Sequence, residues 1–142
     1  MIIYTLNFLL AVLIGSMTFF MAVVSPSIFA TLSTNASSKL LRTIFPRIFL
    51  LGFIIAILSL VLCYISSNIL NSILLIIVAM SFIINRNYLT PKINYFRDKE
   101  LEGDKKASSS FKYMHLLSVL LFVLNFIILI GIVINNYFNY NL

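Results

Sequence analysis

Four long apolar stretches, each near the length that a lipid bilayer demands of a helix, take up most of this 142-residue chain. They run from Ile2 to Val24, Ile48 to Ile65, Ile69 to Ile84 and Leu116 to Ile134. A hydrocarbon core of about 30 Å takes roughly 20 helical residues to cross. Inside it every backbone N–H and C=O must be bonded within the segment, which a helix achieves by itself. The fold class expected is therefore all-α and integral to a membrane, a bundle of four transmembrane helices. The helices are predicted at about 2–25, 38–66, 69–88 and 113–135, in one domain spanning 1–142, with a charged cytoplasmic loop at 92–110. The third run is short, and Asn85 to Leu89 extend it into the interface. No Lys or Arg precedes the first run, so it lacks the basic start of a cleaved signal peptide and reads as a retained helix.

Charge placement orients the bundle. Lys39, Arg42 and Arg47 lie between the first and second runs. Arg86, Lys92, Arg97, Lys99, Lys105, Lys106 and Lys112 lie between the third and fourth. The N-terminus, the Ser66-Ser67-Asn68 turn and the C-terminal tail carry none. With four crossings these two basic segments share a side, and basic loops stay in the cytoplasm. Both chain ends are then on the non-cytoplasmic side of the cell (inner) membrane. Tyr4, Tyr64, Tyr137 and Tyr140 fall at the outer interface, and Tyr88 and Tyr113 at the inner one.

Composition excludes the soluble alternative. Apolar residues make up 61% of the chain and charged residues 10%, where soluble domains carry about 25% charged. A net charge of +6 would suit nucleic acid, but its confinement to segments flanking apolar runs is an insertion signal, and no nucleic-acid partner is expected. Membrane lipids are the expected partners. The reading also admits a homo-oligomer and a soluble partner at the 92–110 loop. Cys63 is the single cysteine, so neither an internal disulfide nor a cysteine metal site is available.

Lipid gives helices no hydrophobic reason to associate, so small residues mark expected contacts. Asn7, Ala11, Gly15, Thr18, Ala22 and Ser25 form one stripe on the first helix. Gly52, Ala56, Ser59 and Cys63 form another on the second. Gly15, Ala22, Gly52 and Ala56 are the predicted packing positions. Pro26, Pro46 and Pro91 each sit near the cytoplasmic end of a helix, where a missing N–H bends or ends it.

Chemistry-bearing motifs are sparse. There is no phosphate-binding glycine loop, no pair of carboxylates in a membrane run and no His/Cys cluster at ligand spacing. Neither catalytic residues, nor a metal, nor a cofactor is expected, which favours a binding or accessory protein over an enzyme. One arrangement stands out on the fourth helix. His115, Ser118 and Asn125 lie at steps of three and seven, within one face of a 3.6-residue period. They serve either as packing contacts or as the lining of a cytoplasm-facing pocket. Arg86, Asn87 and Arg47 are the neighbours expected to approach them and to suit an anionic or polar head group.

The order of these features is similar to that of a known family. Gly15 is followed by Phe19-Phe20, Pro26-x-x-Phe29-x-x-Leu32, Ala36 and Phe45-Pro46. Asn87 with Pro91, then Phe111-x-x-x-His115-x-x-Ser118, complete the set. Together they resemble the transmembrane protein 205-like domains, which implies four helices and no established activity. Phe122 stands where that family's pattern implies an asparagine. Four-helix membrane proteins of haem biosynthesis and copper resistance look similar in size, and supply the alternative function of a membrane oxidoreductase or haem- or copper-handling protein. They rely on a histidine early in the first helix, and His115 is the only histidine here.

Overall fold

The computed structural model describes residues 1–141, with side chains through residue 139. Tyr140, expected at the outer interface, lies outside the described side chains. Four helical rods are long and apolar enough to cross a membrane, and no strand occurs among the described residues. The first rod joins α1 (Ile2–Phe19) to α2 (Ser25–Thr31) through a π-helical turn, Phe20–Val24. The second is α3 (Thr34–Ile65). The third joins α4 (Ile69–Ile84) to α5 (Thr90–Leu101) through a second π-helical turn, Asn85–Leu89. The fourth is α6 (Lys105–Asn141). One end of the bundle, the terminal end, holds both chain ends and the 66–68 turn. The other is the charged end.

The segment 92–110, expected as a loop, is a helical hairpin instead. α5 runs through most of its charged residues, and α6 starts at Lys105. Glu102 to Asp104 make the whole connection. Gly103 takes the left-handed backbone (φ +98) that a tight helix ending requires. The amide of Asp104 bonds the Lys99 carbonyl at 3.1 Å and that of Gly103 bonds Glu100 at 3.0 Å. Asp104 then caps α6, its Oδ1 accepting from the amides of Lys106 and Ala107. The turn at the terminal end repeats the device, with Ser67 left-handed at φ 56 and the Asn68 amide bonded to Cys63.

The prolines explain the π-helical turns. A proline in a helix clashes with the carbonyl four residues back and offers it no donor. One extra residue in the turn relieves the clash, and such turns recur at functional sites. Pro26 and Pro91 each follow a π turn by two positions. The amides of Ser25 and Thr90 reach five residues back, to Phe20 and Asn85. Pro46 sits inside α3, with no break in the helix.

The core differs from expectation on the first rod. α1 packs through Leu6, Leu10, Leu13 and Met17, all buried, while Ala11, Gly15 and Ala22 are exposed. On α3 the small residues Gly52, Ala56, Ser59 and Cys63 are buried, as expected. Close approach occurs between α3 and α4, where the Phe82 ring lies on Gly52.

The two halves of the chain repeat one plan. Leu6, Leu10, Leu13, Met17 and Phe20 are buried, and so are Asn71, Leu75, Val78, Phe82 and Asn85, each 65 positions on. The π turns and Pro26/Pro91 keep that same spacing. Gly52, Ala56, Ser59 and Cys63 match buried Asn125, Leu129, Ile132 and Asn136, each 73 positions on. Each half is a helical hairpin that starts and finishes at the terminal end, so equivalent residues from both halves meet at the charged end.

Candidate functional site

At the charged end the four rods enclose a cleft built from two cavities, an inner one of about 270 Å³ and an outer one of about 340 Å³. Both are lined by Phe29, Leu41, Phe45, Ile93, Asn94 and His115, so the two adjoin.

The inner cavity is aromatic. Phe20, Phe45, Phe49 and Phe122 line it. Phe20 meets Phe45 edge-on at 5.4 Å, Phe45 stacks on Phe49 at 5.8 Å, and Phe49 meets Phe122 edge-on at 6.3 Å. Such ring pairs hold their geometry and offer apolar faces to an occupant. Ser25, Thr90, Asn94, His115 and Ser118 add polar groups. Val119 and Val123 of α6 line the same space and are 43% and 39% exposed. Beside them, from the first rod, stands Met21.

The outer cavity keeps an apolar lining, with Phe29, Leu32, Phe45 and Phe111, and adds polar and charged groups to it. Thr34, Ser37, Ser38 and Arg42 come from the first turns of α3, and Asn94 and Arg97 from α5. Phe111 and His115 of α6 complete it, their rings stacked at 5.8 Å and 13°. The Arg97 guanidinium lies 5.3 Å above the Phe111 ring, a cation–π contact. α5 presents this face because Thr90, Ile93, Asn94 and Arg97 recur at helical spacing.

Arg42 and Asp98 form a bidentate ion pair from α3 to α5, with one N–O contact at 3.1 Å. Among the described residues it is the one ion pair between rods; Arg97–Glu100 and Lys99–Glu102 both lie within the third rod and its extension. These groups lie beyond the apolar runs. The Arg42 guanidinium holds the Asp98 carboxyl below the usual carboxylate range. The Ser108 hydroxyl (2.6 Å) and then Arg97 do the same for Glu100. A lowered carboxylate pKa means that the pair is complete at neutral pH. It is lost only as acid carries the pH below the ordinary value of about 3.9.

The residues expected from sequence divide. His115 and Ser118 line the inner cavity. Ser118 donates to Asn85 Oδ1 at 2.5 Å, tying α6 to the third rod. Asn125 is fully buried two turns deeper and lines neither cavity, and both its amide atoms lack a hydrogen bond among the described residues. Arg86 bonds Asn87 at 3.0 Å, and neither lines the cleft. Arg47 is exposed and also lies off the cleft. The π turn accounts for Arg86. In an unbroken helix it would sit one turn before Thr90; the extra residue puts Asn85 there, buried against Ser118. Arg47 is five residues past Arg42, about 140° around the helix. The guanidiniums that do reach the cleft, Arg42 and Arg97, and the ring of phenylalanines were missed. The S/T-P-x-I repeat at Ser25–Ile28 and Thr90–Ile93 is the sequence signal that could have revealed the equivalent lining positions.

A second polar cluster sits at the terminal end. Asn136 donates to Asn7 at 2.8 Å and accepts from Asn71 at 2.7 Å. Asn135 donates to Asn71 at 3.0 Å, and Asn139 donates to Asn135. These amides lock the first, third and fourth rods together by side-chain bonds that close on one another. The cluster reads as structural.

Among comparisons with known proteins, a family model described as a domain of unknown function (DUF4149) matches residues 8–102. The matched range holds the first three rods of the cleft and ends before α6. The searches of curated proteins and of solved structures return no match.

Proposed function

We propose a function for a chain that belongs to the DUF4149 family, a domain of unknown function: it binds a membrane-resident amphiphile in the cleft at its charged end, without catalysing a reaction on it. The observation that carries this reading is a pair of adjoining cavities, both bearing phenylalanines, of which only the outer one also bears arginines, Arg42 and Arg97. An apolar tail gains by burial against the aromatic part, and a polar head meets donors at the mouth. The exposed valines of α6 give the tail a way in from the bilayer. The ordered motifs shared with transmembrane protein 205-like domains, among them Pro26, Phe29, Pro46 and His115, support placing the chain near those proteins.

Binding is tested with a fluorophore the chain lacks. It contains no tryptophan, so Phe45→Trp places a single one where the two cavities join. Lipid carrying brominated acyl chains should quench it along a saturable curve, reversed by the unbrominated lipid. Leu120→Trp, on the exposed side of α6, should be quenched in proportion to total lipid. Identical linear behaviour at both positions would remove the binding site.

The basic residues at the charged end support an orientation with the cleft on the cytoplasmic side of the cell (inner) membrane. In a Cys63→Ala background, cysteines at Ser67 and Asn139 should react with an impermeant thiol reagent on intact cells, and one at Ser109 should not. Labelling at Ser109 alone would turn the bundle over.

A further inference from the structure

The mouth of the cleft carries a consequence for the head group, which rests on the binding reading above. Arg42 and Arg97 line the outer cavity, but the carboxylates that pair with them, Asp98 and Glu100, do not. The charged side chains that line the cavity are therefore both positive. Their polar companions are rich in donors. Ser38 and Asn94 line the same space, and neither side chain makes a hydrogen bond among the described residues. Ser37 is already committed, its hydroxyl donating to the Ser33 carbonyl at 2.6 Å.

From this wall we infer that the cleft selects an anionic head group of the phosphate class, seated between Arg42 and Arg97 with its tail in the phenylalanine chamber. A guanidinium binds phosphate oxygens through parallel N–H bonds, with the same geometry that it uses for a carboxylate. Arg42 now spends that geometry on Asp98, whose side chain is 53% exposed and free to move into water. A phosphate entering from the cavity side competes with Asp98 for the same N–H groups. Because that pair joins α3 to α5 across the mouth, the competition also loosens the contact that narrows it. Arg97 is the steadier partner, held by both Glu100 and the Phe111 ring. A neutral head would leave both guanidiniums unchanged and gain only the bonds to Ser38 and Asn94.

The Phe45→Trp protein, reconstituted as the full chain, tests this with brominated phosphatidic acid, diacylglycerol of the same chains, and inorganic phosphate. Phosphatidic acid should saturate at about one-tenth the concentration that diacylglycerol needs, the ratio that one charge-assisted bond pair supplies. Arg42→Gln should erase the preference and leave the diacylglycerol curve in place. Asp98→Asn, which frees Arg42 without removing it, should strengthen phosphatidic acid binding several-fold and keeps the test usable if Arg42→Gln fails to fold. Inorganic phosphate at the same concentrations should displace nothing. Equal curves for the two lipids, or weaker phosphatidic acid binding in Asp98→Asn, would overturn the head-group assignment while the tail site stands. Displacement by inorganic phosphate would reassign the site to a free anion. Saturation by neither lipid would remove the binding reading beneath it.

Discussion

Gly52→Leu is expected to destabilise the bundle severely, and Gly15→Leu hardly at all. A Cβ added at Gly52 would lie 2.7–2.9 Å from three atoms of the Phe82 ring, closer than carbon atoms come in a folded protein. The ring has no room to retreat. Phe82 is fully buried, with Phe49 beside it at 6.5 Å. Overpacking of this kind costs about 1–3 kcal/mol and more when the neighbour is fixed, a shift of roughly 2–4 °C in melting temperature for each kcal/mol. At Gly15 the same Cβ meets nothing within 4 Å. Thermal unfolding of both variants in one detergent checks the pair. Equal losses would mean that α1 packs through its small-residue stripe after all.

Two buried asparagines on α6 should respond to leucine with opposite signs. Asn136 bonds both Asn7 and Asn71, so Asn136→Leu strands two amides inside the bundle. Leaving buried polar groups unpaired costs about 1–3 kcal/mol, softened in membranes where the separated helices find other partners. Asn125 is as deeply buried but bonds nothing among the described residues. Asn125→Leu keeps the side-chain length and removes an unpaired amide from an apolar setting, so it should raise the melting temperature. Half-site equivalence sharpens the contrast, because Asn125 holds the position that Gly52 holds in the first half. A fall in stability for Asn125→Leu would show that this amide is bonded in the membrane, by water or by a ligand.

The architecture was legible because it follows from a few large terms. Apolar runs of about 20 residues and basic segments between them leave little choice of fold. Gly52 and Ala56 are small and buried, as their spacing suggested, but the same rule applied to Gly15 and Ala22 picked the exposed face of α1. A small-residue stripe shows where helices can approach, while the buried face is set by what the partner offers. Here α1 buries Leu6, Leu10, Leu13 and Met17, while Gly52 of α3 receives the Phe82 ring of α4. Helical spacing picked out His115 and Ser118, which line the inner cavity, together with Asn125, which does not. Arg97 was not picked out, for two reasons, and Arg42, already expected on the second helix, was passed over for Arg47, about 140° around it. The 92–110 segment looked like a mobile loop, since its charge hides the helix that Gly103 and Asp104 terminate and restart. The π turn before Pro91 also rotates the third rod by about one residue, and an unbroken helical wheel then points to Arg86. Pro26 and Pro91 were visible in sequence; that each lies two residues past a π turn was not.

The central claim is that the cleft is occupied in the membrane. Native mass spectrometry of the unmodified chain, released gently from its own membrane, measures this directly. The 16.1 kDa protein should retain one phosphate-bearing lipid through detergent exchange, and Phe122→Trp, which fills the chamber between Phe49 and α6, should lose it without unfolding. A bare chain mass under conditions that keep the bundle folded, or an adduct that Phe122→Trp leaves unchanged, would contradict it.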